Sequence, residues 1–209
     1  MVDSHANQFF EEMKQEFEMS VNGELTYFLG FQFQQSTNGI FVSQPKYAKY
    51  LVKRLNLDGK SHAHTPMSTS VKLSADVARK SIEQSLYQSM IGCLVYLTSS
   101  RLDISFSVGV CARFQANPKE SQLTAVKQIL MYVNGTVHFD ISFFRKTNLE
   151  LVGYFDFDWA GNADDRKSTS SGCFYVGTNL VAWKRKKQNP ISLSTTKAEY
   201  IAAGVVARS

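Results

Sequence analysis

The spacing of apolar residues changes near residue 137, and this change restricts the folds open to the chain. Before it, apolar residues recur mainly every three or four positions, which is typical of helices. After it, they alternate in short segments separated by glycine or polar breaks, which is typical of strands. Consecutive strands followed by a helix indicate the beginning of an α+β domain near Leu149. We therefore predict an α+β chain whose first part is mainly helical and whose second part forms a sheet.

The first part carries clear local signals. The apolar residues of segment 7–19 have helical spacing. Asn38 and Gly39 lie between two alternating runs, one of them containing Phe31 and Phe33, and they predict a β-hairpin. Pro45 then suits the first turn of a helix. The stretch 61–70 has the composition of a loop.

Two further helices are predicted in the middle of the chain. The first has apolar residues at helical spacing, namely Leu86, Met90, Leu94 and Leu97. For the second, Asn117 is a candidate cap, Pro118 suits the first helical position, and Glu120 completes a capping box. Gly135 is expected to close this second helix.

Five later runs have the pattern of strands, and they cover 137–144, 149–160, 171–178, 180–187 and 191–195. The run 195–207 returns to helical spacing, and either Thr195 or Thr196 is a possible cap for that helix.

The composition is that of a globular protein without a membrane anchor. A net charge of +5 and a pI near 9.0 favour a polyanionic partner. We expect an intracellular protein, cytoplasmic or nuclear, because there is no long apolar run and the polar start is no signal peptide. Cys93, Cys111 and Cys173 are far apart, so neither a zinc site nor a disulfide framework is indicated.

Three carboxylates are candidates for a metal site. Asp156 and Asp158 are two apart on a predicted strand, so both should project from the same face. Glu199 lies on the final helix, which could pack on the sheet near that strand. Carboxylates from a strand and a helix suit Mg²⁺, and a pair of such ions serves phosphodiester cleavage. The alternative is that each acid is solvated or pairs with a nearby lysine or arginine.

Several other charged or metal-ligating groups have two interpretations. The run Lys184, Arg185, Lys186 and Lys187 is either a phosphate-contacting edge or nuclear address, or a charged strand end that discourages edge pairing. Segment 164–167 is interpreted as a charged turn. His62 and His64 could bind a metal, but a loop surface is the favoured interpretation.

Several long motifs, in the same order along the chain, resemble the Pol polyproteins of copia-type LTR retrotransposons. These are GELTYFLGFQF, GIFVSQPKYAKYLVKRL, YQSMIGCLVYLTSSRLDISFSVGVCARFQANPKESQLTAVKQILMYVNGT, GYFDFDWAGNADDRKSTSSGCFYVG and LVAWKRKKQNPISLSTTKAEYIAA. The resemblance implies a reverse transcriptase C-terminal palm, thumb and connection segment over 1–136. It implies the N-terminal part of a ribonuclease H domain, β1-β2-β3-αA, over 149–209.

The resemblance also assigns roles to individual residues. Asp156 takes the position of the strand aspartate and Glu199 that of the helix glutamate, both catalytic ligands of Mg²⁺ in ribonuclease H, whereas Asp158 is not a ligand. The implied partners are an RNA–DNA hybrid or template–primer and the remaining Pol segments. The basic helix would track the nucleic-acid backbone through Lys46, Lys49, Lys53 and Arg54.

The resemblance predicts a fragment without activity of its own. The Tyr-x-Asp-Asp turn of the polymerase does not occur in the chain, and no acid follows Glu199 to complete the nuclease site. The incomplete site is expected to bind Mg²⁺ weakly. Two alternatives stay open: a ribonuclease H that hydrolyses the RNA strand of hybrids if the reading frame continues past Ser209, or a non-catalytic nucleic-acid-binding remnant.

Overall fold

The computed structural model describes residues 2–20, 23–68 and 72–206, which form a mixed α/β structure with two antiparallel sheets. In chain order, the elements are α1 (Val2–Glu16), β1 (Tyr27–Phe28), β2 (Phe31–Gln35), β3 (Gly39–Ser43), α2 (Pro45–Arg54), α3 (Gln84–Leu97), α4 (Leu102–Cys111), a 3-10 turn (Ala112–Phe114), α5 (Glu120–Gly135), β4 (Asp140–Phe144), β5 (Leu151–Asp158), β6 (Thr169–Val176), β7 (Asn179–Lys187) and α6 (Thr195–Val206). The predicted α+β class is confirmed. None of the described helices has the length and apolar character needed to cross a membrane.

The first sheet has the order β1-β2-β3-β4. The predicted hairpin is confirmed, since β2 pairs with β3 and the Gly39 N–H donates to the carbonyl of Ser36 at 3.3 Å. Strand β4 comes from much later in the chain and pairs with β3, with Phe143 opposite Ile40. Gly39 packs so closely on the Phe143 carbonyl that any side chain there would clash. Residues 140–144 therefore complete the first sheet, although their sequence pattern resembles that of the second.

Helices α2, α3, α4 and α5 enclose the main hydrophobic core. The core-facing residues of α3 are Tyr87, Met90, Ile91, Leu94 and Leu97. Leu86, which we predicted for this stripe, is 46% exposed. The buried face of α3 has the predicted helical spacing but begins one residue later. Positions 87, 90, 91, 94 and 97 all lie on this one face of the helix.

Helix α5 begins two residues later than predicted. Lys119 is the N-cap, and its backbone N–H donates to the side-chain oxygen of Gln122, so the roles predicted for Asn117, Pro118 and Glu120 are wrong. The physical reason is tertiary pairing: Pro118 accepts a hydrogen bond from Ile82 at 2.9 Å, which holds the chain extended up to Lys119. The predicted end of the helix at Gly135 is confirmed.

The second sheet has the order β5-β6-β7, and α6 packs on β5 and β6. The strand predicted at 191–195 is wrong, since this segment turns back to lead into α6. Ser192 donates to the side chain of Gln188 at 3.0 Å, which holds the turn against the end of β7. The cap of α6 is Ser194, whose hydroxyl accepts the Lys197 N–H at 3.2 Å, and neither Thr195 nor Thr196 takes that role.

A side chain of β7 connects the two sheets. The Asn179 carboxamide accepts the backbone N–H of Phe144 at 2.7 Å and donates to the Phe144 carbonyl at 3.0 Å. It thereby satisfies backbone groups at the end of β4, much as a neighbouring strand would. Helix α4 also contacts β7, so the helical core and the second sheet share a packed boundary.

Candidate functional site

Asp156 and Asp158 lie on the face of the second sheet that is turned toward α4. Asp156 is opposite Ser171 on β6, and Ser171 is opposite Arg185 on β7, so these three side chains form one row across the sheet. Asp158 is two residues further along β5 and projects from the same face. Asp156 is exposed and lines a cavity of about 250 Å³ between this face and α4.

Asp158 is half-buried and has defined partners. Its carboxylate accepts the backbone N–H of Thr169, and the Arg113 guanidinium donates to the Thr169 hydroxyl at 2.6 Å. Burial lowers the pKa of Arg113, against the attraction of Asp158 and Asp165. The hydrogen bond of Asp158 therefore lies within the sheet, and Thr169 also accepts from the Arg113 side chain, which follows α4.

Glu199 lies on the opposite side of the same sheet. The Gln188 amide donates both to the Ser170 hydroxyl at 3.0 Å and to the Ala198 carbonyl of α6 at 2.9 Å. Ser170 alternates with Ser171 along β6, so α6 covers the face turned away from Asp156. Glu199 itself is exposed. The register thus separates the two acids that the family resemblance assigns to one ion.

The described residues do not fit a two-ion magnesium centre. Within 2–20, 23–68 and 72–206, no three His, Cys, Asp or Glu side chains lie close enough together to hold a metal ion. His62 and His64 lie on the exposed surface of the loop, as predicted. Because Mg²⁺ takes carboxylates in near-octahedral geometry, two acids on opposite faces of a sheet supply a poor donor set. We therefore derive no metal-dependent step from this arrangement.

The cations of α2 form an exposed surface, which we call the α2 basic face and define as Lys46, Lys49, Lys53 and Arg54. The opposite side of the helix is buried through Ala48, Leu51 and Val52, which fixes the direction in which the cations project. The Lys46 ammonium lies 3.9 Å from the centre of the Tyr27 ring. The side chain of Lys46 thus has an aromatic neighbour within the fold.

The basic run on β7 is divided between the two faces of the sheet. Lys184 and Lys186 are exposed, whereas the Arg185 guanidinium lies 4.4 Å from the Phe106 ring on α4. Lys187 forms an ion pair with Asp165 at 2.6 Å. The charged turn predicted at 164–167 is therefore tied to β7. The run does not form one continuous cationic edge.

Two residues at the contact of α4 with the sheet were missed in the sequence. Phe106 and Arg113 belong to a segment that is apolar on nearly every side, so its periodicity gives little indication of which face meets the sheet. The alternation of a strand could have indicated that Arg185 and Lys187 face one way and Lys184 and Lys186 the other.

Comparisons with known proteins show which proteins this chain is similar to. The model of the reverse transcriptase (RNA-dependent DNA polymerase) family matches residues 3–69. The chain is 36% identical over 190 residues to the Retrovirus-related Pol polyprotein from transposon RE1 of Arabidopsis thaliana, covering 91% of this chain and 13% of that protein. It is 33% identical to the corresponding polyprotein from transposon TNT 1-94 of Nicotiana tabacum, covering 92% and 15%. No solved structure matches.

A shorter relative is matched over most of its length. The chain is 31% identical over 201 residues to an uncharacterized mitochondrial protein of Arabidopsis thaliana, and the match covers 96% of this chain and 83% of that protein. The chain belongs to the family of copia-type retrotransposon Pol polyproteins, as a reverse transcriptase-like segment. It spans only 13% of the length of the RE1 polyprotein.

Proposed function

We propose that this chain is a nucleic-acid-binding connecting segment of a Pol polyprotein and that it is not a self-contained nuclease. In this proposal, residues 1–136 form the C-terminal palm, thumb and connection of the reverse transcriptase, and residues 149–209 form the opening of a ribonuclease H domain. The order of a hairpin, a helical core, a three-stranded antiparallel sheet and a helix supports this division. The remaining Pol segments are its proposed protein partners.

The α2 basic face is the observation that carries the binding role. Lys49 and Lys53 are one turn apart and about 6 Å apart along the helix axis, and Arg54 follows directly. All three are exposed, and the opposite helix face is fixed in the core. Such a surface suits the phosphate backbone of an RNA–DNA hybrid or a template–primer, in contacts that do not depend on base sequence.

Replacing Lys49, Lys53 and Arg54 together with glutamine should weaken binding of an RNA–DNA hybrid about tenfold or more at 0.1 M salt. For each phosphate contact that is lost, about one counterion fewer is released on binding. The slope of log K against log salt should therefore become less steep by about two to three. Fluorescence anisotropy with a labelled hybrid at several salt concentrations measures both quantities.

The matched control removes the same charge elsewhere. Lys80, Lys146 and Lys197 are exposed on three other segments, and their joint replacement by glutamine should leave most of the salt slope intact. Equal losses in the two triple variants would show that only net charge matters, and would contradict a binding surface on α2.

The proposed lack of nuclease activity is supported by the separation of Asp156 and Glu199, which lie on opposite sides of the second sheet. A hybrid incubated with the chain and Mg²⁺ should stay uncleaved, both with the unchanged chain and with Asp156→Asn. The rival proposal is a ribonuclease H that cuts the RNA strand of hybrids. Cleavage by the unchanged chain that disappears in Asp156→Asn, prepared in parallel, would establish that rival.

A further inference from the structure

We propose that the loop between β5 and β6 forms, together with Lys72, a site for one nucleotide unit. In this site Lys72 and Arg166 bind the phosphate, and the ring of Trp159 stacks on the base. We call it the Trp159 cavity and define it by its lining residues, which are Lys72, Trp159, Ala160, Ala163 and Arg166. None of them belongs to α2, so the site neither requires nor explains the binding role proposed above.

Two cations line the Trp159 cavity, and none of the described residues that line it is an acid. Lys72 and Arg166 are both exposed, and neither forms an ion pair with an acid of the described ranges. The acids of the loop have other partners. Asp164 accepts the backbone N–H of Ala75 with both oxygens at 3.0 Å, and Asp165 pairs with a lysine of β7. The two cations are therefore accessible to an anion, and phosphate suits both.

The ammonium of Lys72 is held at the loop. It donates to the carbonyl of Ala160 at 3.2 Å, and three residues later Ala75 is held by Asp164. Ala160 directly follows Trp159, so the cation lies at the residue next to the aromatic ring. An ammonium has three N–H donors, and the Ala160 carbonyl is its one acceptor among the described residues. Two donors therefore remain for the oxygens of a phosphate.

Backbone contacts fix the conformation of the loop. Ala160 and Arg166 have φ values of 48° and 55°, in the left-handed region that residues other than glycine rarely adopt. The Ala160 N–H donates to the buried Ser168 hydroxyl at 3.1 Å, and the Arg166 N–H donates to the Asn162 carbonyl at 3.1 Å. Because Trp159 and Arg166 belong to an ordered loop, less entropy is lost when a ligand binds to them.

Trp159 supplies the surface for a base. Its side chain is 45% exposed, and its indole N–H donates to the carbonyl of Ser192 at 3.1 Å, which fixes one edge of the ring. Bases of any sequence stack on such an aromatic side chain when cations bind the backbone beside it. The cavity measures about 300 Å³, at the lower end of the roughly 300–1,000 Å³ that is usual for small-molecule sites. A ligand with both a phosphate and a base therefore suits the site better than either group alone.

Trp159 also provides the readout. The chain has two tryptophans, and Trp183→Phe leaves Trp159 as the single reporter. In that background, adenosine 5′-monophosphate should quench the emission saturably. Adenosine and inorganic phosphate, at the same ionic strength, each supply one part of the ligand and should bind at least about tenfold more weakly.

The variants test the two cations against a matched control. Joint replacement of Lys72 and Arg166 by glutamine should weaken quenching by the mononucleotide about ten- to hundredfold. Joint replacement of Arg145 and Lys146, an exposed arginine and lysine of the loop after β4, removes the same charge and should keep the response. The triple glutamine variant of α2 should also keep it, which separates this site from the α2 basic face. Circular dichroism confirms that each variant is folded.

A nucleotide unit has two sources, and the same titration distinguishes them. Quenching by a short oligothymidylate at lower concentration than by the mononucleotide supports a site for a single strand. Quenching by the mononucleotide at equal or lower concentration supports a site for a free nucleotide. The proposal is overturned if neither ligand changes Trp159 emission, if adenosine or inorganic phosphate acts as strongly, or if the folded Lys72 and Arg166 double variant responds like its control.

Discussion

Replacing Arg101 with methionine should lower the free energy of unfolding by about 3 kcal/mol. The Arg101 side chain is only 3% exposed and makes a bidentate ion pair with Asp103, through Nε at 2.9 Å and Nη2 at 2.7 Å. It also donates to the carbonyl of Thr136 at 2.9 Å and to its hydroxyl at 2.6 Å. One guanidinium thereby joins the start of α4 to the end of α5, and methionine would leave all these acceptors without their donor.

The expected loss is at the lower end of the range for buried pairs because Asp103 is 30% exposed and can be partly rehydrated. Chemical unfolding followed by circular dichroism measures the difference. Arg145→Met, at an exposed arginine of the loop after β4, is the control and should change stability by less than about 0.5 kcal/mol. A loss below about 1 kcal/mol in Arg101→Met would show that the pair contributes little.

Those parts of the fold that depend on local patterns could be predicted from the sequence. The hairpin at Asn38 and Gly39, the helix that begins at Pro45 and the alternating strands β5, β6 and β7 all have signals within a few residues. The errors arose where contacts that the pattern of apolar residues does not show determine the local structure. The pairing of Pro118 with Ile82 moves the start of α5, and the contact of Gln188 with Ser192 replaces a predicted strand with a turn.

The candidate site could be predicted only in part, for the same reason. The shared face of Asp156 and Asp158 follows from strand alternation and agrees with the register. The side of the sheet that α6 covers is set by long-range contacts such as that between Gln188 and Ala198, and no spacing rule provides it. The inward position of Arg185 likewise depends on Phe106, which comes from a helix much earlier in the chain. The roles of Asp156 and Glu199 as ligands stay predictions.

Replacing Gln188 with leucine should lower the free energy of unfolding of the second sheet by about 2–4 kcal/mol. Gln188 is only 4% exposed. Its amide donates to the Ser170 hydroxyl at 3.0 Å and the Ala198 carbonyl at 2.9 Å, and its carbonyl oxygen accepts from the Ser192 hydroxyl at 3.0 Å. Leucine has a similar volume but no polar atom, so three buried groups would lose their partner.

The effect should be concentrated where α6 meets the sheet. The Trp159 indole donates to the Ser192 carbonyl at 3.1 Å, so release of this turn should alter Trp159 fluorescence before the helical core unfolds. Asn189→Leu is the matched control, because Asn189 is the neighbouring carboxamide side chain but is exposed, and it should change stability by less than about 0.5 kcal/mol. If the two variants unfold alike, the Gln188 network does not hold α6 in place. Because α6 carries Glu199, its release would also free that carboxylate from its fixed position across the sheet from Asp156.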